Sequence, residues 1–154
     1  MTATQNDVDD PLLLDRQVCF PLYAATNLLT RLYGPVLSRI GLTYPQYLVM
    51  LVLWEGQPQS VGALGTRLYL DSGTLTPLLK RMEAAGLVNR ARDATDERRV
   101  LVTLTDTGRA LRDQAAHVPE VLAHGYQPDR IDELREGVRE LVTTLSEHIA
   151  FKDP

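Results

Sequence analysis

The feature that most constrains this chain is a change of hydrophobic period at Gly86. Before it, Ser60 and Asp71-Ser72 stand as N-caps ahead of two apolar-periodic segments, Val61 to about Leu68 and about Gly73 to Ala85. Gly86 occupies the place of a left-handed helix terminator. Beyond it, apolar and polar residues alternate. Leu87–Arg92 (LVNRAR) and Arg99–Leu104 (RVLVTL) predict paired strands around a polar tip, Asp93–Arg98. Upstream, Thr43–Gln46 (TYPQ) is a capping box with proline in its first turn; it opens an apolar helix that runs to Glu55 and stops at Gly56. Three consecutive helices and a two-stranded ribbon within roughly 60 residues describe a winged helix-turn-helix.

The flanks are helical as well. Leu12 to Tyr33 predicts a long helix with Leu14, Val18, Leu22, Leu29 and Leu32 on its apolar positions. Pro21 demands a kink or a later start. Gly34-Pro35 is expected to break this helix, leaving a short helical piece from Val36 to Ile40. After the ribbon, Thr105 caps a helix from Gly108 to about Ala123, and a break at Gly125/Pro128 precedes the last helix. That helix carries Ile131, Leu134, Val138, Leu141, Val142, Leu145 and Ile149 on one stripe. The stripe lies outside the winged-helix core and needs a cover, either a second copy of the chain or the first helix of the same chain. The expected fold is mainly α with a small β-ribbon. Residues 1–154 form one domain, with a lobe over 43–105 flanked by helices over 12–42 and 106–150.

Composition excludes several classes. The chain has 154 residues, enough for one ordinary domain. Its longest apolar run, Tyr47 to Trp54, is far shorter than the ~20 residues of a membrane span. The first ten residues, MTATQNDVDD, hold no basic residue and no apolar stretch, so no secretory signal is expected. A single cysteine excludes an intrachain disulfide framework and multi-cysteine metal sites, and a reducing cytoplasm is the expected compartment. His117 and His124 lack a carboxylate set, so neither a metal nor a cofactor is expected.

Charge is unevenly spread. Residues 60–112 hold 9 basic and 6 acidic side chains, whereas 1–59 hold 3 and 5 and 113–154 hold 4 and 9. A positive centre between acidic ends suits a central module that faces a polyanion. In the segment after Asp71, Leu75, Leu78, Leu79 and Met82 share one face. The other face carries Ser72, Gly73, Thr74, Thr76, Pro77, Lys80 and Arg81: small and hydroxylic near the start, cationic farther along. Small residues permit close approach to base edges, hydroxyls contact bases or phosphates, and the cations neutralise phosphate. At the ribbon tip, Arg98 and Arg99 would reach a neighbouring minor groove, with Asp96 two residues from Arg98 to hold its guanidinium.

Three stretches carry a resemblance: Leu70–Glu83 (LDSGTLTPLLKRME), Gly86–Arg90 (GLVNR) and Asp96–Thr105 (DERRVLVTLT). They resemble the DNA-binding lobe of the MarR family of winged-helix homodimeric repressors. The resemblance implies that the terminal helices form a dimer interface. The dimer would read a pseudopalindromic duplex with half-sites about one helical turn apart.

Cys19 has two readings, a small buried hydrophobe or a reactive thiol. It lies toward the start of the first helix, where backbone N–H groups favour a thiolate, and Tyr23 is one turn away on the same face. The segments Val18–Tyr23 (VCFPLY), Leu32–Leu37 (LYGPVL) and Leu42–Leu48 (LTYPQYL) resemble the organic-hydroperoxide-sensing branch of that family, the OhrR repressors. The resemblance implies that Cys19 is the peroxide-reactive residue, surrounded by Tyr23, Tyr33 and Tyr44. Phe20 and Leu22 would add apolar walls that favour organic hydroperoxides as inducers. With no second cysteine, the resemblance is to the one-cysteine members, in which a small cellular thiol completes the oxidation. Along an unbroken helix Tyr33 would stand ~21 Å from Cys19, so it would have to reach the sulfur from a partner subunit. Competing readings are a repressor controlled by a small aromatic ligand in the dimer cleft, a thiol peroxidase, and a winged helix that binds protein.

Overall fold

The computed structural model describes residues 10–124 and 127–152. Residues 1–9 and Gly125, both used above, lie outside the described residues. Two units divide after Ala116, and each is described by itself.

In the first unit a 3-10 turn, Leu14–Arg16, precedes α1 (Cys19–Arg39). Starting at Cys19 makes Pro21 the third helical residue, where its missing N–H costs nothing because the first four N–H groups of any helix lack an internal acceptor. The expected break at Gly34-Pro35 does not occur, for α1 runs unbroken to Arg39 with Pro35 inside it. Tyr33 and Leu37, one turn apart on the same face, are buried on either side of that proline. Their packing holds the helix across the one backbone hydrogen bond that Pro35, lacking an N–H, cannot give to the Arg31 carbonyl.

α2 (Tyr44–Glu55) opens on the expected capping box, with the Thr43 N–H donating to Gln46 Oε1 at 2.9 Å. The next residues form a strand too short for any period to reveal, β1 (Gln59–Ser60), whose Ser60 also caps α3 (Val61–Leu68) by accepting from the Ala63 N–H at 3.1 Å. α4 (Ser72–Ala84) is capped by Asp71, and Gly86 takes the expected positive φ of 73° after it. β2 (Val88–Arg92) and β3 (Val100–Leu104) pair antiparallel, Val88 opposite Leu104 and Arg92 opposite Val100. β1 joins the far edge of β3, Gln59 opposite Val102, so the expected ribbon is a three-stranded sheet in the order β1-β3-β2. Thr105 caps α5 as expected, but α5 (Asp106–Ala115) ends before Ala123.

α2 lies at the centre of this unit and contacts α1, α3, α4 and α5. Leu37, Val49, Met50, Leu53, Leu64, Leu75, Leu79, Met82, Val88 and Val102 are fully or almost fully buried. α2 is apolar on every side because it is enclosed on several sides. At the outer end of α1 the reverse holds: Val18, Phe20, Tyr23, Leu28 and Leu32 are exposed.

The second unit contains α6 (Glu120–Ala123) and α7 (Pro128–Lys152). On the stripe of α7, Leu134, Val138, Leu145 and Ile149 are exposed, and the Arg130–Glu133, Asp132–Arg135 and Glu136–Arg139 pairs lie along the same helix. Among the described residues no single helix is long and apolar enough to cross a membrane.

Candidate DNA-reading face and thiol site

The candidate reading face is built on α4. Leu75, Leu78, Leu79 and Met82 are buried as the sequence requires, which fixes the helix in rotation. Ser72, Gly73, Thr74, Pro77, Lys80 and Arg81 are exposed, and Thr76 is half-buried. At the start of α4, Asp71 Oδ1 accepts from the Thr74 N–H at 2.8 Å and Oδ2 from the Thr74 hydroxyl at 3.1 Å. These bonds, the backbone one foremost, hold the Asp71 carboxyl below its ordinary pKa. They also commit the Thr74 proton, so that hydroxyl can only accept from a partner outside the chain. Pro77 brings no N–H, which leaves the Gly73 carbonyl as a second acceptor on the same exposed surface.

The wing is ordered by its own side chains. Asp93 Oδ1 accepts from the Thr95 N–H at 2.9 Å and its hydroxyl at 2.8 Å, while Oδ2 lies 3.6 Å from Arg99 Nη1. Arg98 donates from both its backbone N and Nε to Asp96 Oδ1, each at 3.1 Å, as its spacing suggested. Its side chain is nonetheless 91% exposed, so it is aimed outward by a carboxylate and not buried by one. Between α3, α4 and the wing runs an open groove of about 530 Å³ with Arg90, Arg98, Arg99 and Thr76 in its walls.

Sequence reasoning missed the clasp that joins wing to helix. Glu83 on α4 accepts from Arg90 three times: from the backbone N at 2.9 Å, from Nε at 3.0 Å and from Nη2 at 2.8 Å. The Arg90 side-chain bonds, with the backbone bond next, keep the Glu83 carboxyl below its ordinary pKa. Nε and Nη2 converge on Oε2 while the backbone N–H takes Oε1, so the carboxylate grips Arg90 through both main chain and side chain and sets the wing against α4. Its only trace in the sequence is a pair of opposite charges on either side of Gly86.

The residues of the candidate thiol site are not brought together within the chain. Cys19 is a free, exposed cysteine at the first position of α1, which removes the buried-hydrophobe reading. Phe20 and Tyr23 are exposed beside it and Leu22 is half-buried. Tyr33 and Tyr44 form a separate cluster, with ring centroids 5.4 Å apart; Tyr47 lies 6.4 Å beyond Tyr44, and Trp54 6.5 Å beyond Tyr47. Burial raises the pKa of Tyr33, Tyr44 and Tyr47, so all three phenols are protonated donors at neutral pH. Because α1 is unbroken, Tyr33 stands ~21 Å along the helix from Cys19.

Comparisons with known proteins agree with this architecture. Residues 31–115 match the family model for the transcriptional regulators SarA/Rot. The chain is 52% identical to the HTH-type transcriptional regulator TtmR of Methylorubrum extorquens strain PA1, over 86% of this chain and 67% of that one. It is 43% identical to the organic hydroperoxide resistance transcriptional regulator of Bacillus subtilis strain 168, over 88% and 92% of the two chains. Among solved structures it matches reduced AbfR bound to DNA, with 40% identity, a TM-score of 0.74, and 88% and 96% of the two chains covered. Overoxidised AbfR bound to DNA matches with 36% identity and a TM-score of 0.71, over 93% and 99%. The chain therefore belongs to the SarA/Rot family of transcriptional regulators, winged helix-turn-helix proteins of the MarR type.

Proposed function

We propose that the chain is a homodimeric repressor that binds a pseudopalindromic DNA operator and releases it when an organic hydroperoxide oxidises Cys19. The observation that carries this reading is the exposed thiol at the start of α1, in a chain 43% identical to a regulator of organic hydroperoxide resistance. Two apolar surfaces support the dimer, the outer end of α1 and the stripe of α7, both exposed in a single chain. In the dimer, the Tyr33/Tyr44 cluster of one subunit serves the Cys19 of the other and offers it phenol donors. Residues 43–105 act as the reading lobe, while 12–42 and 106–150 form the interface. At the operator, Ser72, Gly73, Thr74, Thr76 and Pro77 of α4 approach base edges. Lys80 and Arg81 neutralise phosphates, and Arg98 and Arg99, oriented by Asp96 and Asp93, enter the adjacent minor groove.

The chemistry follows from the thiol. The Cys19 sulfur attacks the outer peroxide oxygen, the O–O bond breaks, and the leaving alkoxide takes a proton to become an alcohol. Sulfur is oxidised by two electrons to sulfenic acid as the peroxide is reduced. With no second cysteine in the chain, the sulfenic acid condenses with a small cellular thiol, giving a mixed disulfide and water. Phe20, Leu22 and Tyr23 favour hydroperoxides with apolar tails. AbfR in its overoxidised form is known on DNA, which argues that bulk, more than oxidation as such, drives release. A mixed disulfide between Cys19 and free cysteine is therefore expected to lower affinity for a duplex from the protein's own promoter region by at least about tenfold. Equal affinity of the fully modified and reduced proteins would remove the proposed switch.

A further inference from the structure

Tyr69 is unusual among the described residues in being a non-glycine with positive φ (φ 54°, ψ 40°). It ends α3, and only Leu70 separates it from Asp71, the N-cap of α4. The turn does not need this side chain. Its geometry is held by the backbone, the Tyr69 N–H and the Leu70 N–H both donating to the Gly65 carbonyl, the latter at 2.9 Å. Leu70 O would lie 2.6 Å from a Cβ on residue 65, so the glycine that this close approach requires is Gly65. At 69 itself a glycine would fit without strain. The chain instead places there a large ring that is 68% exposed and contributes little to the core. A strained backbone position that spends its side chain on solvent points to a partner.

Position and chemistry identify that partner. Ser72, Gly73 and Thr74 are the residues that α4 presents first. A group three residues before Ser72 stands outside the groove that α4 enters, at the level of the sugar–phosphate rail. Its phenol brings a hydroxyl donor, and Asp71, two residues on in the chain, does not compete for it, because both of its carboxylate oxygens are already engaged by Thr74. We infer that Tyr69 is a DNA-backbone contact, its hydroxyl donating to a phosphate oxygen at the edge of the groove read by α4. This inference rests on the reading of α4 as the DNA-reading helix.

The test uses the full chain and its Tyr69→Phe and Tyr69→Gly variants, titrated at several salt concentrations against a promoter-region duplex and a scrambled duplex of equal length. Tyr69→Phe is expected to lose about tenfold on both duplexes, the loss of one hydrogen bond to a charged acceptor. The slope of log K against log salt should be unchanged, since a neutral donor displaces no counterion. Tyr69→Gly is expected to lose at least as much while its thermal midpoint rises, which separates contact from folding. Parent-like binding by Tyr69→Phe, or a loss confined to the promoter duplex, overturns the backbone contact alone. Failure of the parent chain to bind either duplex overturns the DNA reading beneath it.

Discussion

A Cys19→Ser protein is expected to bind its operator within about twofold of the parent and to remain bound when an organic hydroperoxide and a small thiol are added. The first half follows from exposure. Cys19 is solvent-accessible at the start of α1, outside the packed set around α2, and serine is close to it in size and at ease in water. The second half follows from chemistry. A hydroxyl oxygen is neither ionised at neutral pH nor able to accept oxygen from a peroxide, so the two-electron step that begins the response is absent. Anisotropy titrations of a labelled promoter duplex, before and after cumene hydroperoxide with cysteine, read both halves together. Release that survives the substitution would move sensing to another group and favour a ligand in the dimer cleft.

The second large effect is structural. Gly108→Ala is expected to destabilise the chain by about 3 kcal/mol, the upper end of what overpacking costs. A Cβ at this position would stand 2.1 Å from Leu87 O and 3.4 Å from Leu104 Cδ2. The carbonyl cannot retreat easily, because Thr105 donates to it from its backbone N at 3.1 Å while the Thr105 hydroxyl holds the preceding Gly86 carbonyl at 2.6 Å. Nor can Gly108 move freely: its own carbonyl accepts from Trp54 Nε1 at 2.9 Å, and its N–H donates to the Thr105 hydroxyl at 3.0 Å. The contact ties α5 to both α2 and the base of the wing, so DNA binding should fall along with stability. Urea unfolding measures the first effect, and a parent-like midpoint would mean that α5 does not seat against Leu87 as described.

Local signals were the legible part of this fold. Thr43, Ser60, Asp71 and Thr105 cap helices in the structure because a capping side chain acts on backbone two or three residues away, within reach of sequence reasoning. Alternation over five residues likewise located β2 and β3. β1 escaped because two residues carry no period; it exists because the edge of β3 accepts it. α1 was misjudged at Gly34-Pro35 because local propensity favours a break there, while the burial of Tyr33 and Leu37 favours continuity, and packing wins. The Glu83–Arg90 clasp joins a helix to a strand across a turn, a geometry that no periodic rule describes. The thiol site was legible only in part. Cys19 stood out by being alone and Tyr23 by its spacing of one turn. The distance of Tyr33 from Cys19 depended on whether α1 is continuous, and continuity is a tertiary outcome.

The most direct measurement is the affinity of the purified chain for a duplex from its own promoter region, at fixed salt, with and without cumene hydroperoxide plus cysteine. Intact mass is read on the same samples. The account predicts tight binding by the reduced protein and a loss of at least about tenfold once the mass shows one cysteine joined to Cys19. Tight binding that persists with Cys19 fully modified would contradict it.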